Sequence, residues 1–224
     1  MYEEQRCPRA INDLHGRSFP TPTQQCVIDM AWRGRSFCFT GDRGSGMSYT
    51  VECITEMLTK KHRIIDQTNN TTSVYVVGLT KNAVCNVNGI LLSSFSGAEP
   101  LDPKDTVDKA MEKQNIQTLS RWKSAHVLIF EDCAKLDPNL FDLLEKFARR
   151  ARMNDLIFGG IQVIFSGYFA PMSQIEDDIQ SNKLPLFACD AWKCTIESRL
   201  LFLHVAIRSQ IVANDKSTGF SLIY

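Results

Sequence analysis

Residues 41–50, GDRGSGMSYT, constrain the fold of this chain more than any other stretch of its sequence. The template of a phosphate-binding loop is G-x-x-x-x-G-K-[ST], in which backbone N–H groups and the lysine hold the phosphate oxygens. Gly41, Gly46 and Ser48 fall on this template, whereas Met47 occupies the lysine position. The stretch therefore predicts a phosphate-binding loop without its charged side chain.

The sequence on either side of the loop supports this interpretation. Residues 35–41, RSFCFTG, contain a short apolar run and end in glycine, so they predict a strand. After the loop, apolar residues recur with the spacing of one helix face, at Met47, Val51, Ile54, Met57 and Leu58. Strand, glycine loop and helix in this order are the context that a phosphate-binding loop needs.

The rest of the chain alternates strands with helices. Further apolar runs predict strands at 73–80, 126–132 and 159–167. Residues 137–152 predict a helix capped by Asp137 with Pro138 in its first turn, and the polar stretch 98–122 predicts one or two short helices. Because the strands are nearly unbroken apolar runs, we expect an α/β fold with a parallel sheet and helices on both faces.

The run at 126–132, HVLIFED, ends in two carboxylates, Glu131 and Asp132. In P-loop ATPases such a strand leads to an acid pair, one holding Mg²⁺ and the other orienting the attacking water. These two residues are the candidate catalytic acids, and Ser48 and Glu131 the candidate Mg²⁺ ligands. The usual order is aspartate then glutamate. The reversal displaces each carboxylate by about 1 Å, which can lower a rate about a hundredfold.

Composition narrows the partners. The 224 residues carry 25 basic and 25 acidic side chains, so bulk charge gives no support to nucleic-acid binding. No apolar run approaches the length of about 20 residues that spans a bilayer, so no membrane partner is expected. The first residues lack the apolar core of a secretory signal and are too acidic for a mitochondrial presequence. Eight cysteines without a C-x-x-C pair indicate free thiols in a reducing compartment.

Five segments, taken in order, resemble the first motor domain of the Pif-type DNA helicases of superfamily one, over residues 19–209. They are PTPTQQCVIDMAWRGRSFCFTGDRGSGMSY, VVGLTKNAVCNVNGILLSSFSG, LIFEDCAKLDPNLFDLLEKFAR, FGGIQVIFSGYF, and FACDAWKC with LFLHVAIRSQ. The resemblance implies a RecA-like P-loop NTPase fold, ATP and Mg²⁺ as cofactors, and single-stranded DNA as a partner.

The resemblance also implies roles for residues at matching positions. Gln24 would read adenine, and Arg208 would join the acid pair in catalysis. The nucleotide-binding set is Gln24, Gly41, Gly44, Ser45, Gly46, Met47, Ser48 and Tyr49. The residues that would contact DNA are Thr80, Asn88 and Phe95. For Phe95, packing in the core is the alternative to stacking on a base.

Departures from the family pattern fall on residues that perform catalysis. Tyr168 replaces an acid, Pro171 replaces the glutamine that senses the γ-phosphate, and Ser93 replaces a histidine of the DNA-contacting segment. Loss of one preorganised charge such as the loop lysine removes about 3–4 kcal/mol of transition-state stabilisation. We therefore expect a fold retained without its ATPase.

The expected organisation is an N-terminal extension at 1–18, the RecA-like motor domain at 19–205, and a remnant of the second motor domain at 206–224. Three hypotheses stay open: a non-catalytic binding or scaffold module in DNA maintenance, an ATP-binding helicase subunit acting in DNA repair or telomere maintenance with a partner chain, and a truncated product without a role. A protein partner is expected on the face of the missing domain. The expected location is intracellular, with the nucleus ahead of the mitochondrion.

One further pattern concerns the surface. Four cations crowd the end of the helix predicted at 137–152, namely Lys146, Arg149, Arg150 and Arg152. This run predicts a solvated helix face rather than a nucleic-acid patch.

Overall fold

The computed structural model describes residues 20–42, 44–65, 73–97, 103–104, 106–168, 185–196 and 200–203. Its helices are α1 (Pro22–Trp32), α2 (Met47–Ile65), α3 (Lys81–Cys85), α4 (Leu92–Ser96), α5 (Val107–Glu112), α6 (Ile116–Ser124), α7 (Pro138–Arg152) and α8 (Asp190–Ile196). Its strands are β1 (Phe37–Gly41), β2 (Val74–Gly78), β3 (Ile90–Leu91), β4 (Val127–Glu131), β5 (Gln162–Ser166) and β6 (Leu200–Leu203). Short 3-10 turns lie at Cys133–Lys135, Ile157–Gly160 and Leu186–Ala188.

The strands form one sheet in the order β3-β2-β4-β5-β1-β6, and every neighbouring pair is parallel. The register sets Gly78 beside Glu131, Glu131 beside Ser166, and Gly41 beside Leu203. The carboxyl ends of the strands therefore meet at one edge, where the loop after β1 lies close to the acids after β4. The predicted α/β fold with a parallel sheet is confirmed.

The core is sorted by the two-residue period of the strands. Along β4, Val127 and Ile129 pack in an apolar layer with α1 and α2. Leu128 and Phe130 point to the other face, into a layer with α6, α7 and α8. Because β1 and β4 bury both of their faces, their sequences are mostly continuous apolar runs rather than alternating ones. The strands predicted at 35–41, 73–80, 126–132 and 159–167 are all confirmed with shorter bounds, whereas β3 and β6 were not predicted.

Helix α7 forms as its sequence predicts. The side chain of Asp137 accepts hydrogen bonds from Asn139 N at 2.8 Å and Leu140 N at 3.0 Å, and Pro138 opens the first turn. The helix starts after the carboxyl end of β4 and returns to the amino edge of the sheet, where the turn Ile157–Gly160 leads into β5.

The basic run at the end of α7 is not one solvated face, which corrects the prediction for Arg152. Its guanidinium donates to Gly159 O at 2.7 Å, Trp122 O at 2.9 Å, and Lys123 O and Ala125 O at 2.8 Å each. Burial lowers the pKa of this guanidinium from its ordinary value. Arg152 thus ties the ends of α6 and α7 to the turn before β5.

The predicted terminal segments 1–18 and 206–224, and with them Arg208, lie outside the described residues. The domain boundaries therefore stay predictions. Among the helices that the structure describes, none combines the length and apolar character needed to cross a bilayer.

Candidate functional site

The loop after β1 has a backbone that requires its glycines. Gly44 and Gly46 have φ angles of +88° and +84°, in the left-handed region that favours glycine. A Cβ on Gly41 would lie 2.6 Å from Ser45 Oγ and 2.7 Å from Leu203 O, so no larger residue fits between the loop and β6. The turn of a phosphate-binding loop is therefore present in its backbone.

The loop leads directly into α2, as the sequence predicts. Helix α2 begins at Met47, and the hydroxyl of Thr50 donates to Gly46 O at 2.9 Å. The N–H groups at a helix N-terminus attract anions, so this end of α2 suits phosphate oxygens. Met47 is half-buried against the apolar layer under α2. Its thioether donates no hydrogen bond and carries no charge, so the site lacks the cation that the template places here.

The two predicted Mg²⁺ ligands are brought together by the fold. Ser48 lies in the first turn of α2 and Glu131 ends β4, and Ser48 Oγ donates to Glu131 Oε1 at 3.1 Å. Glu131 is only 8% exposed. Its Oε2 and the hydroxyl of Ser45 are buried without a hydrogen-bond partner in the part of the chain that the structure describes.

Burial governs the charge of Glu131. Desolvation raises the pKa of its carboxyl above the ordinary value of 4.5, the hydroxyls of Ser166 and Ser48 act in the opposite direction, and the charge of Asp132 adds to the rise. A cation at the unpaired oxygen would favour the ionised form. Among the described residues no group of three or more His, Cys, Asp and Glu side chains could hold a metal alone. Mg²⁺ commonly uses one or two carboxylates with phosphate oxygens and water, so Ser48 and Glu131 fit a nucleotide-bound Mg²⁺.

Asp132 does not share the environment of Glu131. Its backbone is left-handed, with φ 53° and ψ 48°, a conformation that costs a non-glycine residue about 1–2 kcal/mol. It precedes the turn Cys133–Lys135, whose N–H groups its side chain does not cap. Its side chain is half-exposed, whereas Glu131 is buried. The two neighbouring acids therefore divide between the protein interior and the solvent-facing side of the strand end.

Both polar atoms of the Gln24 side chain form hydrogen bonds within the protein. Its Oε1 accepts from Thr21 N at 2.9 Å, its Nε2 donates to Ser45 O at 3.2 Å, and the residue is 1% exposed. In this structure Gln24 braces the glycine loop against α1. The expectation that it reads adenine is not supported by this placement. Tyr49 lies half-buried in the first turn of α2.

The residues predicted to contact DNA separate into two groups. Thr80 and Asn88 are exposed beside the carboxyl end of β2, where Thr80 also caps α3 by accepting from Ala83 N at 3.2 Å. Phe95 is fully buried, with its ring 5.1 Å from Tyr75 and 4.7 Å from Trp122. The ring of Phe95 therefore fills the core behind the sheet, which agrees with core packing, the alternative to base stacking for this residue.

Part of the segment FGGIQVIFSGYF, at 158–169, lies far from this site. Gln162 begins β5 at the amino edge of the sheet and donates to Ala31 O at 3.0 Å and Arg35 O at 2.8 Å. It thereby joins β5 to the end of α1. At the other end of β5, the hydroxyl of Ser166 interacts with Glu131, a role that sequence reasoning missed. Nothing in the local sequence marks this serine, since only the parallel register sets it beside Glu131.

A model of the PIF1-like helicase family matches residues 23–220. The chain belongs to the PIF1-like helicase family. An ATP-dependent DNA helicase PIF1 of Emericella nidulans is 32% identical over 177 residues, which make up 77% of this chain and 23% of that protein. An ATP-dependent DNA helicase RRM3 of Saccharomyces cerevisiae is 29% identical over 87% of this chain and 27% of that protein. The chain thus spans about a quarter of the length of these relatives.

The fold agrees with this assignment to the PIF1-like helicases. The crystal structure of a Pif1 helicase from Candida albicans superposes with a TM-score of 0.71 at 25% sequence identity, over 88% of this chain and 43% of that one. The RecA-like fold predicted from the resemblance is therefore confirmed.

Proposed function

We propose that this chain is a non-catalytic PIF1-like helicase domain that serves as a binding or scaffold module in DNA maintenance. The observation that carries the proposal is the placement of Met47. At the template position of the phosphate-binding lysine, the chain has an apolar side chain packed against the core beneath α2. Loss of one such preorganised charge lowers the stabilisation of the transition state by about 3–4 kcal/mol.

The acid pair supports the same proposal. Glu131 is buried and accepts a hydrogen bond from Ser48. Asp132 has a left-handed backbone conformation. A water-activating carboxylate must be placed within hydrogen-bond reach of the attacking water. With the order of the acids reversed, the longer side chain stands on the metal side and the shorter one on the water side. ATP, if it binds, would then lack a well-placed base for hydrolysis.

A second candidate function is an ATP-binding helicase subunit that works with a partner chain in DNA repair or telomere maintenance. The contact of 3.1 Å between Ser48 and Glu131, with the unpaired Oε2 beside it, favours this candidate because it preserves the metal side of the site. When bound, Mg²⁺ would screen the phosphate charges. Ser48 and Glu131 would orient it, and the glycine loop would hold the phosphates.

The partners of the module are part of the proposal. Leu79 and Tyr168 expose 36% and 40% of their surface just after the carboxyl ends of β2 and β5. Thr80 and Asn88 are exposed in the same region. This edge suits a protein partner or single-stranded DNA, and relatives named as DNA helicases support DNA as a ligand. Relatives named as DNA helicases also support a location inside the cell.

The test is a titration of the purified protein with a fluorescent ATP analogue, with and without Mg²⁺, together with an ATPase assay. Met47→Lys restores the loop cation, and Met30→Lys is the matched control because Met30 packs against the same apolar layer away from the loop. We expect no hydrolysis by the native chain and at least about tenfold tighter nucleotide binding by Met47→Lys, since one charge-assisted hydrogen bond is worth about 1.5–3 kcal/mol.

Hydrolysis by the native chain that disappears in Asp132→Asn would overturn the non-catalytic proposal. Micromolar binding by the native chain that Mg²⁺ tightens, without hydrolysis, would favour the ATP-binding subunit. Equal gains in Met47→Lys and Met30→Lys would show that added charge, rather than the loop geometry, attracts the nucleotide.

A further inference from the structure

The last two turns of α7 and the start of α5 border an open groove at the surface. Its volume is about 610 Å³, and its lining includes Val107 and Asp108 from α5 and Lys146, Arg150 and Met153 from the end of α7. Pockets that bind ligands commonly have volumes of about 300–1,000 Å³. The groove is therefore large enough to receive several side chains of a partner.

The fold sorts the basic run of α7 so that one wall of this groove is cationic. Lys146, Arg149, Arg150 and Met153 follow the spacing of a single helix face, while Arg152 turns inward to the carbonyl oxygens of α6. The opposite face of α7 is buried against the sheet. The groove wall thus presents three positive charges followed by one apolar side chain.

The cations of this wall differ in how firmly they are held. Arg149 is fixed, because its Nη1 donates to Asp155 O at 2.9 Å and its Nε to the buried Glu145. Arg150 Nη2 lies 3.9 Å from Asp108 Oδ1, and these two side chains are 67% and 82% exposed. Such an exposed ion pair contributes about 0–1 kcal/mol, so a carboxylate of a ligand can replace Asp108 at little cost.

The apolar end of the groove is unusually open. Met153 is 88% exposed, and its N–H bonds to Arg149 O and Arg150 O hold it in a left-handed conformation with φ 49°. Leu156, three residues on, is 66% exposed. Methionine adapts its shape to the apolar groups of a partner, which suits it to a binding surface. Cations and exposed aliphatic groups therefore stand side by side.

We propose that this groove docks an acidic peptide segment of another protein. Carboxylates of the segment pair with Lys146 and Arg150, and an apolar side chain between them packs on Met153. Nucleic acid fits the groove less well. Among the described residues of the lining, none is an aromatic side chain on which a base could stack.

This surface is separate from the nucleotide site. Helix α7 starts near the acids after β4 and ends at the amino edge of the sheet, whereas the glycine loop lies at the carboxyl edge. Docking in the groove therefore requires neither ATP nor the proposed function. The two proposals can fail independently.

The experiment measures fluorescence anisotropy of a fluorescein-labelled peptide, in which pairs of glutamates alternate with single leucines, as the full chain is added without nucleotide. An all-glutamate peptide of the same length and a labelled oligothymidine are measured in parallel. The test variant combines Lys146→Glu and Arg150→Glu. The matched control combines Lys60→Glu and Lys193→Glu, which reverses two exposed lysines that also form surface ion pairs.

We expect the leucine-containing peptide to bind the native chain, and the test variant to bind it on the order of tenfold more weakly than the control variant. Met153→Asn keeps the left-handed backbone, because asparagine tolerates it, and should weaken the leucine-containing peptide but not the all-glutamate one. Absence of binding, or equal binding by the test and control variants, would overturn the proposal. Oligothymidine that competes with the peptide and is lost in the test variant would overturn it in favour of nucleic acid.

Discussion

At the residue scale, one side chain decides the chemistry that the phosphate-binding loop can perform. Gly44 and Gly46 have a left-handed backbone, and Ser48 Oγ donates a hydrogen bond to Glu131. Met47 then removes the charge that the same backbone would present to phosphates. A loop and its catalytic side chain are separable, because turn geometry depends on glycine and charge depends on one residue.

Replacement of Glu131 by glutamine should stabilise the chain in a pH-dependent manner. The native pKa of Glu131 is raised above 4.5, so its favourable contribution is present below that value and is lost as the pH rises through the native pKa. Glutamine of similar shape carries no buried charge. We expect the melting temperature of Glu131→Gln to exceed that of the native chain at pH 8, and the difference to shrink towards pH 4.

The control for this prediction is Glu56→Gln, because the side chain of Glu56 is 37% exposed in a surface pair with Lys60. Its melting temperature should follow that of the native chain closely across the same pH range. If Glu131→Gln is no more stable than the native chain at pH 8, then the protein compensates the buried carboxylate in a way that the described contacts do not show.

At the element scale, the turn that links α7 to β5 is held by its helix. Phe158, Gly159 and Gly160 have consecutive positive φ angles of 51°, 61° and 80°. Glu145 accepts from Phe158 N at 3.1 Å, and Arg152 donates to Gly159 O at 2.7 Å. Gly159 and Gly160 thus form the turn that enters β5, at the edge of the sheet opposite the phosphate loop.

We predict that Gly159→Ala destabilises the chain far more than Gly34→Ala. A Cβ on Gly159 would lie 2.7 Å from Ala148 O, and φ is already +61°, so strain and overpacking together should cost on the order of 3 kcal/mol. Gly34 has φ +71° but nothing within 4 Å of its added Cβ, so strain alone should cost about 1 kcal/mol. Urea unfolding curves of the two variants measure the difference, and equal costs would show that the turn relaxes.

At the scale of the whole molecule, stability should be greatest in the middle of the sheet. Strand β4 lies between β2 and β5, and both of its faces are covered by apolar layers. In the part of the chain that the structure describes, strand β3 pairs with β2 alone, over Ile90–Leu91. Ile90 is 36% exposed. The protection of an amide from hydrogen exchange follows the free energy of the opening that exposes it.

We therefore predict that the amides of Val127–Glu131 exchange most slowly and those of Ile90–Leu91 much faster, when the exchange of single amides is followed by NMR. The intermediate case is β1, which lies between β5 and β6. Protection of β3 as strong as that of β4 would contradict the assignment of the sheet centre and indicate that another element covers this edge.

Local sequence was sufficient to predict much of this protein. Continuous apolar runs predict buried parallel strands, Asp137 and Pro138 predict the start of α7, and glycines at fixed spacing predict the turn of the phosphate loop. These signals involve residues close together in the chain, where periodicity and turn chemistry act. The predicted pairing of Ser48 with Glu131 came from the motif, and the fold brings the two residues together.

For several other side chains, only the tertiary structure decided what they contact. Phe95 is buried in the core, and Gln24 donates a hydrogen bond to the glycine loop. Arg152 points away from the other cations of its helix and donates to backbone carbonyl oxygens. Ser166 joins Glu131 only because β5 pairs with β4 in one register. Each of these contacts joins residues from different elements. Their positions depend on strand order and helix packing, which local sequence patterns do not encode.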